Sequence, residues 1–148
     1  FAGKKIIDKE IKGITLSKEN IILAINKNNH LAKKKNISIT DIKNEKFILF
    51  PKSKGAIGLY DRIIEFCQRA KFEPNVIQEA YEIEVILGLV SGGLGVALIP
   101  ENAGLLKLKN IIFKNFKETP PKSEIYLLMK NNNSNSLTHN FFEISKNK

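Results

Sequence analysis

The sequence predicts an open α/β sheet with helices on both faces. Two observations carry this. Phe47–Phe50 ("FILF") and Val96–Pro100 ("VALIP") are apolar without polar interruption, the composition of strands covered on both sides. Leu59–Ala70 and Glu79–Val90 place apolar residues at helical spacing, so strands and helices alternate along the chain.

In chain order, Ile11–Leu16 and Asn20–Ile25 are Ile-rich and partly alternating, which predicts two strands around a turn at Ser17-Lys18-Glu19. Asn26–Lys35 is polar loop. In "SITDIKNE", Ser38 stands three residues before Asp41, the pattern of a capping box opening a short helix. Phe47–Phe50 is stopped by Pro51, and "PKSKGAIG" is a loop leading into the helix Leu59–Ala70. Leu59, Ile63, Phe66 or Cys67, and Ala70 fall on one side of that helix. A turn at Pro74 precedes a short strand, Asn75–Gln78. The next helix, Glu79–Val90, buries Ala80, Ile83, Ile86, Leu87 and Val90. After "VALIP" and a turn at Glu101–Gly104, strands are expected at Ile111–Phe113 and Glu124–Lys130, separated by "ETPPK". Ser136 can cap a last helix whose Leu137, Phe141 and Ile144 align at i, i+4 and i+7.

"SGGLG", Ser91–Gly95, invites a nucleotide-binding reading that its surroundings exclude. A dinucleotide fingerprint runs strand, G-x-G-x-x-G, helix. Here the helix comes first, the strand last, and the third glycine is missing. A phosphate would face the negative end of the helix dipole. Gly92 or Gly93 is expected to be a left-handed C-cap instead.

A better ligand position is the loop between Phe47–Phe50 and Leu59. It lies where a strand ends and a helix begins, so free N–H groups favour an anion. The loop offers Lys52, Ser53, Lys54 and Gly55, with Gly58 at the helix start. Open α/β sheets bind ligands on this edge.

No catalytic or metal-binding pattern is found. His30 and His139 are far apart, no H-x-x-x-H or C-x-x-C occurs, and neither a P-loop nor a G-x-S-x-G elbow is present. Cys67, the one cysteine, sits on an apolar helix face and reads as a buried, inert thiol. Glu79, Glu82 and Glu84 read as a solvated helix start favoured by the dipole. No enzyme, metal or cofactor is therefore expected. The net charge is +9, but 22 of the 24 basic residues are lysines scattered over the chain, which fits a solvated surface better than a nucleic-acid site. No apolar run approaches the roughly 20 residues of a membrane span. The 148 residues make one domain or part of one, and a chain beginning at Phe1 reads as a fragment or a processed product.

The order of elements resembles a known family. "EKFILFPKSKGAIGLYDRIIEFCQRAKFEPNVIQEAYEIEVILGLVSGGLGVALIP" looks like the effector-binding domain of LysR-type transcriptional regulators. The matching features are Phe47–Pro51, Leu59-Tyr60-Asp61, Cys67, Phe72-x-Pro74, Gln78-Glu79-Ala80 and Leu89–Pro100. Upstream, Asn29-His30-Leu31-Ala32 lacks the proline usual after the histidine. The resemblance implies a fold like the type 2 periplasmic binding proteins, with two α/β subdomains joined by crossing strands over a ligand cleft. Residues 1–18 and 124–148 would belong to the first subdomain, here incomplete, and 19–123 to the second. It also implies that a small, anionic, possibly aromatic-derived effector binds between them. The family's pocket maps onto Lys52, Ser53, Gly55, Ala56, Ile57 and Gly58, with Ile83, Ile125 at the crossover, and Gly3 and Lys4 at the rim. Helix 59–70 would be one side of a dimer contact, with Tyr60, Arg62 and Glu65 exposed. Operator DNA would be reached only through an N-terminal helix-turn-helix absent from this chain, and the protein would be cytoplasmic. A periplasmic-type solute-binding protein is the alternative on the same fold.

Overall fold

The computed structural model describes residues 10–53, 58–106 and 108–146. Its organising element is β1, Ile11–Asn26, a single 16-residue strand. The two strands and turn expected here do not form. Ser17, Lys18 and Glu19 stay extended because β6 (Lys122–Lys130) supplies a partner along Ile11–Asn20, and a bulge between Thr15 and Ser17 absorbs the irregularity. Beyond Asn20 the strand changes company. Ile21–Ala24 pairs antiparallel with β4 (Ala97–Pro100), and Leu23–Asn26 pairs with β5 (Ile111–Lys114) on the other side.

β2 (Lys46–Leu49) and β3 (Asn75–Glu79) pair in parallel. β2 joins β4 through a parallel bridge between Phe47 and Val96, with Ile48 N donating to Val96 O at 2.9 Å and Val96 N to Lys46 O at 2.8 Å. The order across the sheet is therefore β3-β2-β4-β1-β5, with β1 antiparallel to both of its neighbours.

Both faces of this sheet are covered, as the uninterrupted apolar strands require. Ile21, Leu23, Ile25, Phe47, Leu49, Val96 and Leu98 pack with Ile63, Phe66 and Cys67 of α1 (Leu59–Arg69). The alternate residues Ile22, Ala24, Ile48, Ala97 and Ile99 pack with Ile86, Leu87 and Val90 of α2 (Ile83–Ser91). Period-two alternation thus sorts one strand's side chains between two helical layers. The capping box at Ser38 and Asp41 forms as expected and opens a 3₁₀ turn, Ile39–Ile42. α2 starts at Ile83 rather than Glu79, because Glu79 still pairs with Leu49 and Ala80 N donates to Leu49 O.

The glycines after α2 are structural. Gly93 has φ +78°, the left-handed C-cap. A Cβ on Gly95 would lie 2.4 Å from Lys46 O, so only glycine lets β4 approach β2.

A third, smaller apolar cluster lies at the far end of β1. There Leu127, Met129 and Ile14 pack with Phe142 of α3 (Ser136–Ser145). Asn135, rather than Ser136, caps α3 by accepting from Leu137 N and Thr138 N. The expected stripe is turned outward, with Leu137 76%, Phe141 53% and Ile144 68% exposed, while Phe142 is 2% exposed. Among the described residues α3 packs on β6 and β1, and Phe142 covers what they present.

Candidate functional site

β2 and β3 end at the same edge of the sheet, where the chain leaves through Phe50 and Ala80 towards α1 and α2. Ser53 and Gly58 are brought together there, since a Cβ on Gly58 would stand 3.1 Å from Ser53 Oγ. Gly58 precedes the first turn of α1, and its N–H donates to Asp61 Oδ2 at 2.9 Å. That carboxylate already meets part of the positive charge of the helix start, so an anionic ligand would share the terminus with it. Lys52 is exposed on the approach. Ile83 is half-buried at the start of α2 and packs on the same cluster as Phe50 and Ala80. Ile125 is 39% exposed on β6. Gly55, Ala56 and Ile57 of the loop, and Gly3 and Lys4, lie outside the described residues.

Next to this edge is an ion cluster that sequence reasoning missed. Glu124 of β6 accepts from Lys18 Nζ at 2.9 Å, Arg62 Nη2 at 3.0 Å and the Tyr126 hydroxyl at 2.5 Å. The other arm of Arg62 donates to Lys122 O at 2.6 Å, and Lys122 Nζ reaches Asn20 Oδ1 at 2.5 Å. Glu124 and Tyr126 are two residues apart on a strand and share a face, so Ile125 points to the opposite one. Hydrogen bonding from Lys18 first, then from Tyr126 and Arg62, holds the Glu124 carboxyl down at about 2. The same carboxylate raises the Tyr126 phenol. A signal was available, because Arg62 is one of two arginines among 24 basic residues and an arginine fork does what a lysine cannot.

Arg62 is consequently not a free surface residue. Of the three expected exposed members of α1, Glu65 is exposed, whereas Tyr60 is half-buried against the core and Arg62 is committed within the chain.

Among the described residues, cavities also lie away from this edge. One of about 400 Å³ opens at the opposite end of the sheet between Asn26, Asn29, Asn44, Lys46, Gly93 and Gly95. Two of its amides are already employed, Asn26 Nδ2 on Ser91 O at 2.7 Å and Asn29 Nδ2 on Glu45 at 3.0 Å. Another of about 340 Å³ lies by Phe66, Arg69 and Glu118, and a third of about 480 Å³ by Gly88, Leu106 and Leu108. Among the described residues no group of three metal-ligating side chains occurs. Cys67 is buried, and burial, followed by the charge of Glu73, pushes its thiol up to about 12. No described helix is long and apolar enough to cross a membrane.

Comparison with known proteins agrees with this architecture. The family model of the LysR substrate binding domain matches residues 1–148. The chain is 32% identical over 124 residues to the HTH-type transcriptional regulator AlsR of Bacillus subtilis (strain 168), covering 84% of this chain and 41% of AlsR. Among solved structures, the BenM effector binding domain with its effector benzoate superposes with a TM-score of 0.76 at 25% identity. That match covers 97% of this chain and 65% of the BenM domain. The effector binding domain of QuiR in complex with shikimate, at 22% identity and a TM-score of 0.81 over 96% of this chain and 66% of that one, shares the fold. The chain spans less than half the length of the curated regulators it matches.

Proposed function

This chain belongs to the LysR substrate binding domain family, and from that premise we propose that it senses a small effector at the edge formed by Ser53, Gly58 and the start of α1. The observation that carries the reading is the approach of Ser53 Oγ to Gly58 at the N-terminus of α1. This places a hydroxyl and free helix N–H groups at the C-terminal edge of β2, where open α/β sheets take ligands. Lys52 supplies a positive charge on the approach, Ile83 and Ile125 supply apolar surface, and Gly55, Ala56 and Ile57 complete the loop. Gly3 and Lys4 would close the site from its other rim. The effector is a small carboxylate, aromatic or derived from an aromatic compound. Benzoate, the effector in the BenM structure, is of this class. No catalytic step is assigned, and the curated relatives are transcriptional regulators. Family membership favours this reading over a solute-binding protein for transport.

Within it, residues 19–123 form one subdomain, and 1–18 with 124–148 form part of another. The separate cluster of Ile14, Leu127, Met129 and Phe142 supports that division. The outward face of α3 is where the rest of that subdomain packs in a longer protein, as the greater length of the BenM domain suggests. Self-association runs through the exposed side of α1, at Glu65 and Arg69. Operator DNA is contacted through a helix-turn-helix elsewhere in the whole regulator, which works in the cytoplasm.

The test is a titration of the whole regulator with a panel of small carboxylates that includes benzoate and shikimate, followed by calorimetry. Ser53→Ala combined with Gly58→Asp removes a donor and sets a negative charge at the helix start, and is expected to abolish binding of whichever carboxylate binds the parent. Unchanged affinity in that variant would place the ligand elsewhere.

A further inference from the structure

We propose that Arg62 is the positioning residue that ties the start of α1 at Gly58 to the crossing strands, so that this helix start and the β1–β6 crossing change together. The placement of Arg62 carries this. It enters α1 immediately after the loop, and its backbone N–H donates to Gly58 O at 3.3 Å. Its guanidinium leaves the helix altogether and ends on β6, one arm on Lys122 O and the other on Glu124. Among the described residues these are the hydrogen bonds that join α1 to either crossing strand.

The point of attachment matters as much as the bond. Glu124 pairs in register with Lys18 and Lys122 with Asn20, the last β1 residue paired with β6. The next residue, Ile21, already pairs with Pro100 of β4. Arg62 therefore grips β6 where β1 passes from one partner to the other, a few residues from the bulge at Thr15/Ser17. Elsewhere α1 is held by apolar packing on the sheet, which constrains its distance more than its rotation. The fork fixes the rotation.

Lysine could not replace it. A point charge can meet the carboxylate or the carbonyl, whereas a planar fork meets both at fixed geometry. The two partners are 23% and 13% exposed, so water screens the pair less than it would a surface bridge. Coupling between two sites is reciprocal. Any loop rearrangement that turns the first turn of α1 strains the fork, and any change in the crossing is felt at Gly58. That consequence for sensing rests on the proposed effector site, but the mechanical link does not.

The test needs no ligand. Amide exchange is followed by NMR in the full chain for Gly58, which precedes α1, for Arg62 in its first turn, and for Val96, in the sheet core, as the reporter of global stability. Glu124→Gln alters only β6, yet is expected to speed exchange at Gly58 and Arg62 by about tenfold, the scale of a lost charge-assisted bond. Arg62→Ala should do the same, and the double variant should add nothing. Arg62→Lys should behave as Arg62→Ala, and with Glu124→Gln it completes the same cycle if the alanine variant does not fold. If Gly58 and Arg62 change no more than Val96, or if the two substitutions add, Arg62 merely stabilises the fold and the link is refuted. Failure here would leave the effector site standing, and failure of the carboxylate titration would leave the link standing.

Discussion

Replacing Glu124 with glutamine should cost stability at neutral pH and cost little in acid. The folded carboxyl sits at about 2 against an ordinary 4.5, a difference worth roughly 3 kcal/mol. Lys18, the largest contributor, is 57% exposed, so solvent screening reduces this to about 2 kcal/mol. The sign follows from a depressed folded pKa. The contribution is fully present above the unfolded value of 4.5 and is lost as pH falls through that value towards 2. At pH 3 less than half of it remains on the same relation, roughly 1 kcal/mol. The Tyr126 phenol is raised by the same hydrogen bond, so its shift is the other side of one interaction and is not added. Urea unfolding of parent and Glu124→Gln, at steps between pH 7 and pH 3, measures the gap directly. Taking the difference cancels the titration of every carboxylate the substitution does not touch. A gap that stays constant across this range would mean that Glu124 contributes packing rather than charge. The assignment of its depressed pKa to Lys18, Tyr126 and Arg62 would then be wrong.

The glycine joint offers a contrast within five residues of chain. Gly95→Ala forces a Cβ against Lys46 O at 2.4 Å and should cost about 3 kcal/mol, whereas Gly93→Ala, at φ +78°, should cost about 1 kcal/mol. Equal urea midpoints for the two would discard the close approach of β4 to β2 as the reason for Gly95. On α3, Phe142→Ala should lose about 3 kcal/mol and Phe141→Ala about 0.5 kcal/mol, since the first is 2% exposed and the second 53%. Thermal midpoints in the reverse order would restore the register that periodicity predicts. Cys67, fully buried with its thiol pushed up to about 12, should react with Ellman's reagent only at the rate of unfolding. Rapid labelling of the native chain at pH 8 would show that α1 opens on its own.

What the sequence made legible was whatever depends on local pattern. Phe47–Leu49 and Val96–Ile99 are apolar on every residue because α1 and α2 cover opposite faces of the sheet, and that requirement is written into each strand separately. The cap at Ser38 and Asp41 and the left-handed Gly93 are also local, and both were readable. The failures share the opposite property. Whether Ser17-Lys18-Glu19 turns or stays extended depends on β6, over a hundred residues away, offering itself as a partner. Whether α3 buries Phe141 or Phe142 depends on what stands against it, which helical spacing within "SLTHNFFEIS" cannot say. For the proposed site, the loop was chosen from helix-terminus chemistry alone. Its companion Glu124 was not, since the partner of an ion pair is set by tertiary contact.

The crossing has one further signature that only the structure makes readable. Along β1, Ile21–Ile25 is buried at every position, whereas Ile11–Asn20 is half-buried or exposed throughout. A strand buried on both faces is locked between β4 and β5, and moving it would open two apolar layers. The part paired with β6 is held by its antiparallel ladder, by Ile14 in the Phe142 cluster and, at the crossing, by Lys18, Asn20 and Glu124. Bonds of that kind can be exchanged one at a time, whereas a buried layer moves as a whole or not at all. β1 thus passes from ionic to apolar attachment between Asn20 and Ile21, and the Arg62 fork is fastened beside that point, on Lys122 and Glu124.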